Sequence, residues 1–270
     1  MIDRTQGVRE DSDMGTDTGT DTEAGVPADV AADTAADTAA VELTEGDDPH
    51  VLSPAAGAEL LRGAPWSRLV IVGDSVAQGI SEPRPGYRSE PWSTLVVEAL
   101  RQVRPELVHL NLGQRDLLTA QVRESQLQPA LDFKPDLVIA LCGGNDGLRK
   151  VFDPAAAERE LEALFAPLRE TGGTMVTSGF FDIIGNPHFD ARYRDLARER
   201  LAALSRITRS VAERLDAVYV DMQTHPTGRE ESVWSSDGIH LNARGQAVLG
   251  TEIIRALAAR LAEGDTESDR

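Results

Sequence analysis

Five short apolar runs lie along the chain between residues 68 and 222, and most of the ground between them is amphipathic. The runs are RLVIVG (68–73), LVHLNL (107–112), DLVIALC (136–142), TMVTSG (174–179) and AVYVDM (217–222), each of strand length. Several are almost continuously apolar, the pattern of strands covered on both faces. Between and after them, PWSTLVVEALRQV (91–103), DPAAAERELEALFAPLRET (153–171), FDARYRDLARERLAALSRITRSVAERL (189–215) and ARGQAVLGTEIIRALAARLA (243–262) repeat apolar residues every three or four positions. That spacing predicts helices with one buried stripe. Asp153 is placed to cap the second of them, with Pro154 in its first turn.

Strands alternating with helices predict βαβ units, right-handed crossovers and a five-stranded, mainly parallel sheet of the α/β class. Such sheets bind ligands beyond the carboxyl ends of their strands, where the strand order reverses. The loops that follow the strands are therefore where chemistry is expected.

Charge divides the chain. Of its formal −18, −12 falls within residues 1–48, leaving −6 for the other 222. The acidic stretch repeats TDT and AADT and has no aromatic residue, so it cannot bury enough apolar surface to offset the entropy of ordering. Residues 1–48 are expected to be a disordered acidic tail, 49–65 a linker or lead-in segment, 66–262 the folded domain and 263–270 a short C-terminal tail. The first residues lack a basic start followed by an apolar run, and no run of about 18 apolar residues occurs. With a single cysteine, Cys142, there is no intrachain disulfide framework and no clustered-thiol metal site. A cytoplasmic protein with no metal and no membrane span is expected. The domain is net acidic and has no dense basic run, which argues against nucleic acid as a partner.

Three strand-end loops carry the candidate chemistry. After the first strand comes GDSVAQG, where Gly73 permits a tight turn and Ser75 stands at a helix amino terminus. After the third comes LCGGNDGL, which projects the Asn145 amide. Before the last helix comes WSSDGIHLNARG, with Asp237 three residues ahead of His240. Each has an ordinary alternative: a helix cap at 74–75, an Asx turn at 145–146, and a surface histidine at 240. Together they hold the parts of acyl transfer, namely a nucleophile, an oriented base and an oxyanion donor.

In that order and at those separations, GDS, GGND and DGIH resemble the GDSL family, also called the SGNH hydrolases, over roughly residues 66–262. The resemblance implies a flavodoxin-like three-layer α/β/α fold and a small-molecule ester as substrate, with no cofactor. It implies Ser75 as nucleophile, His240 as general base and acid, and Asp237 as its orienting carboxylate. The oxyanion would be met by the Asn145 amide and the Ser75 backbone N–H. The family's Asn-x-Gly-x-x-Gly block appears here as NLGQRD, so Asn111 and Gly113 match and the third oxyanion donor, a backbone N–H, falls on Asp116. Tyr87, Trp92 and Phe181, with Phe180, Ile183 and Ile184 beside the last, are expected as walls of a substrate pocket. A serine ester hydrolase is the expected function. An acyltransferase or biosynthetic deacylase would use the same residues, and a non-catalytic binding module would keep only the fold.

Overall fold

A strand that is apolar at every position has no face to offer water and must be covered twice. In the computed structural model of the protein, which describes residues 43–268, the strands β1 (Arg68–Gly73), β2 (Val108–Asn111), β3 (Leu137–Leu141), β4 (Thr174–Ser178) and β5 (Val218–Val220) form one sheet of order β2-β1-β3-β4-β5. Every pairing is parallel. The helices are α1 (Pro54–Leu60), α2 (Ser75–Gln78), α3 (Trp92–Val103), α4 (Thr119–Asp132), α5 (Gly144–Leu148), α6 (Pro154–Arg169), α7 (Arg194–Arg214) and α8 (Ala243–Ser268).

Two cores sandwich the sheet. Leu69, Ile71, Leu137 and Ile139 point into one, with Trp92, Val96 and Leu100 of α3 and Val248 and Ile253 of α8. The alternate residues Val70, Val72, Val138 and Ala140 point into the other, with Val122 of α4 and Leu161, Leu164, Phe165 and Leu168 of α6. Opposite faces of each strand thus feed opposite layers, as the two-residue pleat requires. The three-layer α/β fold expected from the sequence is the fold observed. Its order reverses between β1 and β3, which opens a crevice at their carboxyl ends.

The segment boundaries differ from expectation. Residues 49–65 are a lead-in to the folded unit and not a linker. They carry α1, whose cap Ser53 accepts from the Ala56 N–H at 3.2 Å, and Gly57 packs against Ala99 of α3. Leu52 donates to the Thr251 hydroxyl of α8 at 2.9 Å. Residues 43–48 also belong to the folded unit, because Asp48 is buried. At the other end α8 continues to Ser268, through most of the expected tail. The remainder of the expected acidic tail, residues 1–42, lies outside the described residues. No helix among the described residues is long and apolar enough to cross a membrane.

Among the long helices, α4 alone has no counterpart in the apolar pattern. Its buried positions are Thr119, Val122, Gln126 and Ala130, small or polar, and Pro129 lies inside it. Gln126 holds both polar groups of Gly73, accepting from its N–H at 2.8 Å and donating to its carbonyl at 2.9 Å. A side chain thereby completes the hydrogen bonding of β1 at the point where the chain turns away.

Candidate active site

At the end of β1 the chain turns so sharply that only glycine fits. Gly73 has φ +143°, and a Cβ there would lie 1.8 Å from the Leu141 carbonyl oxygen. Asp74 follows, its amide bonded to that carbonyl at 3.1 Å and its carboxylate accepting from the Val76 N–H at 3.0 Å. Ser75 opens α2 and is nearly buried. Burial pushes the Asp74 carboxyl up to about 7, against the Val76 hydrogen bond and with the help of the nearby Asp146 carboxylate.

Ser75 meets a partner 165 residues away. His240 Nε2 lies 2.8 Å from the Ser75 Oγ, and His240 Nδ1 lies 2.6 Å from Asp237 Oδ2. A carboxylate can only accept, so Nδ1 carries the proton and Nε2 is left as the acceptor for the serine hydroxyl. The other Asp237 oxygen accepts from the N–H groups of Ile239 and His240, each at 2.9 Å. Burial works against its charge, but these bonds and the imidazole hold the Asp237 carboxyl below its ordinary range.

The loop bearing Asp237 and His240 is fixed from two sides. Glu82 accepts from Ser236 through both carboxylate oxygens, from the N–H at 2.5 Å and the hydroxyl at 3.1 Å. Asn186 donates to the Gly238 carbonyl at 3.0 Å. Behind it, Arg244 donates to Asp48 at 2.7 Å and also bonds Glu230 and Ser232. Sequence reasoning missed Glu82, Asn186, Asp48 and Arg244. No local motif marks Glu82, Asn186 or Asp48, and Arg244, although inside WSSDGIHLNARG, finds its partners Asp48, Glu230 and Ser232 outside that stretch.

Asn145 stands in α5, just after β3, and faces the same cavity as Ser75 and His240. Its Nδ2 donates to the Leu117 carbonyl at 2.9 Å, which fixes the amide's orientation. Gly143 and Gly144 let this turn lie against the Phe180 ring, from which a Cβ at 144 would be only 3.2 Å away. Asp146 in turn accepts from the Thr119 N–H and hydroxyl, at 3.0 and 2.9 Å.

The other expected site residues divide. Phe181 lines the cavity, as do Phe180 and Ile183. Tyr87 and Trp92 do not, and their expected place in the pocket wall is corrected. The Tyr87 hydroxyl donates to Asp48 at 2.8 Å, and burial together with that carboxylate pushes it up to about 12. Trp92 is wholly buried under α2, its indole N–H donating to the Val76 carbonyl at 2.7 Å. Asp116 does not border the cavity either. It has φ +68°, and its carboxylate faces solvent, paired with Arg115 at 3.1 Å. That left-handed backbone is one a glycine adopts without cost.

The cavity beside Ser75 measures about 100 Å³. Trp234, at the head of the loop that carries Asp237, lines it too, and the walls further include Leu201, Met222 and Leu249, from parts of the chain that no motif singles out. Among the described residues, no group of three or more His, Cys, Asp or Glu side chains is arranged to hold a metal ion.

Comparison with known proteins follows the same lines. The sequence profile described as "GDSL-like Lipase/Acylhydrolase family" matches residues 71–248. An arylesterase from Vibrio mimicus is 28% identical over 130 residues, which are 48% of this chain and 60% of that protein, so the match spans well under two thirds of the relative's length. Among solved structures, an acetylxylan esterase from Geobacillus stearothermophilus aligns with TM-score 0.58 at 21% identity, over 73% of this chain and 94% of the other. An α/β hydrolase enzyme from the metagenome of Lake Arreo, Spain, aligns with TM-score 0.58 at 23% identity, over 73% and 95%. The lipase/acylhydrolase from Enterococcus faecalis aligns with TM-score 0.54 at 20% identity, over 72% and 96%. At such identities the structures speak for the fold, while the profile, covering most of the chain, speaks for descent. The chain belongs to the GDSL-like lipase/acylhydrolase family.

Proposed function

We propose that the protein is a serine ester hydrolase. Ser75 Oγ attacks the ester carbonyl as His240 Nε2 takes its proton, and Asp237 keeps the imidazole in the tautomer that can accept it. The tetrahedral oxyanion is met by the Ser75 backbone N–H and by the second N–H of the Asn145 amide, the one not given to Leu117. The C–O bond to the alcohol breaks as His240 returns the proton to the leaving oxygen. Water, deprotonated by the same imidazole, then attacks the acyl–Ser75 ester, and release of the acid restores the hydroxyl.

One observation carries this reading: the 2.8 Å approach of His240 Nε2 to Ser75 Oγ, with Asp237 on the far side of the ring. A helix cap or a surface histidine calls for no such alignment. Descriptions of relatives as an arylesterase and an acetylxylan esterase agree with an ester as the bond broken.

The test is reaction with a fluorophosphonate probe beside hydrolysis of a chromogenic ester. Labelling of Ser75 is expected, with loss of turnover by at least about 10⁴-fold in Ser75→Ala. Wild-type rates in that variant would remove Ser75 from the mechanism. An unlabelled protein that cleaves no ester would favour the binding module.

A further inference from the structure

We infer that the cavity beside Ser75 is an acyl-chain site that selects an unbranched, uncharged acyl group of about four to six carbons over acetyl. This rests on the ester-hydrolase reading above and adds the identity of the acyl half.

The direction of the two halves of an ester follows from the proton path. The leaving alcohol takes its proton from His240, so it departs on the His240 side. That side is open: Asp237 is half exposed, and Ile239, at the rim, is 54% exposed. The acyl group remains bonded to Ser75 after the alcohol has gone and must lie away from that face. The cavity reaches that rim, since Ile239 and His240 also line it, and inward from the rim its walls are the buried side chains of Phe181, Leu201, Met222 and Leu249.

Its walls come from four separate elements: Phe180 and Phe181 after β4, Leu201 on α7, Met222 after β5 and Leu249 on α8. Phe181, Leu201, Met222 and Leu249 are buried side chains that face the void. Gln246 also lines it, but its amide is already engaged, accepting from the Trp92 N–H at 3.1 Å and donating to the Ile80 carbonyl at 3.0 Å. No lysine or arginine lines the space, so a carboxylate-bearing acyl group would enter without a counter-charge.

Size sets the length. A dry apolar cavity of roughly 150 Å³ holds a six-carbon ring, so about 100 Å³, which includes the space beside Ser75 and His240, has room for about four carbons, the carbonyl carbon among them. An acetyl group would leave about half of the void empty. Each methylene added inside should raise kcat/KM about fourfold, hence about 15-fold from acetyl to butyryl. Chains longer than the void must leave it or force the walls apart.

The experiment is kcat/KM for a series of esters sharing one leaving group, from acetyl to decanoyl and including succinyl, kept below their aggregation concentrations. The expected result is a maximum at butyryl to hexanoyl, with decanoyl and succinyl at least tenfold below it. Leu201→Phe should narrow the space and move the maximum towards acetyl, and Met222→Ala should widen it and move the maximum to longer chains. Should neither variant fold, inactivation of wild-type Ser75 by methyl- and butyl-substituted fluorophosphonates decides the matter, the butyl reagent being the faster. A maximum at acetyl, equal inactivation rates, or a profile that both folded variants leave unmoved would overturn the inference, while labelling of Ser75 would still uphold the hydrolase. Failure of all ester cleavage and of labelling would overturn both.

Discussion

The Asp48 carboxylate lies 2.7 Å from Nε of Arg244, 196 residues further along, and solvent reaches almost none of either side chain. The pair ties the segment before α1 to the first turn of α8, four residues past His240. Removing Asp48 leaves the buried Arg244 guanidinium with the partly exposed Glu230 carboxylate to balance it. Asp48→Ala should therefore lower stability by about 3 kcal/mol, and Asp48→Asn by less, since its amide oxygen can still accept. Urea midpoints for the two variants check this, and equal midpoints for Asp48→Ala and wild type would refute it. Burial opposes the Asp48 charge, but Arg244, the His50 N–H and the Tyr87 hydroxyl together hold the carboxyl below its ordinary value. Its contribution is thus complete above about pH 4 and disappears as the pH falls through the lowered value.

Asp74 has the opposite sign. Its carboxyl is raised to about 7 in the folded protein, so between about pH 4 and 7 the folded state keeps a proton that the unfolded chain has released. This group makes the protein less stable as the pH rises through that window. Asp74→Asn, whose oxygen can still accept from Val76, should gain melting temperature over wild type at pH 8 and little at pH 4. Parallel melting-temperature profiles for the two proteins from pH 4 to 8 would show that Asp74 does not titrate there.

In the proposed mechanism, Asn145→Ala removes a side-chain donor from the oxyanion and leaves the Ser75 N–H in place. A fall in kcat of about 10² to 10³, with KM little changed, is expected. Steady-state kinetics on one ester suffice, and a loss seen only in KM would move Asn145 from the transition state to substrate binding.

Asp116→Gly should do little. The carboxylate is turned to solvent and paired with Arg115, and the backbone relief a glycine offers at φ +68° is offset by its greater freedom in the unfolded chain. Activity within about threefold of wild type is expected, judged against the penalty for losing a true oxyanion donor. A gain of tenfold or more would place the Asp116 side chain in conflict with the substrate.

The strands were legible because a run such as VIALC has no polar face, and a parallel sheet is what such a run builds. Ser75, Asn145 and the Asp237–His240 spacing could be found because each sits in a short strand-end or helix-leading loop with a glycine beside it. Helix α4 was not legible. Its inward face is Thr119, Val122, Gln126 and Ala130, so the apolar period is missing although the burial is present. Asp48 closes an acidic run and looks solvated until its partner from the far end of the chain arrives. Tyr87 and Trp92 were misplaced for a related reason: nearness in sequence to the Ser75 turn does not determine which way a ring points. One packs into the Asp48 network and the other under α2.

The proposed nucleophile and base rest on unequal foundations. Ser75 hangs from the sheet's central strands, whereas His240 hangs from residues 223–242, built of two 3₁₀ turns and a single bridge between Trp234 and Leu241. Segments held by short, local backbone bonds open at lower free energy than a central strand does. Warming should therefore silence the protein while its sheet is still intact. The midpoint of activity loss would fall several degrees below that of the circular-dichroism signal, and cooling from that interval would restore full turnover.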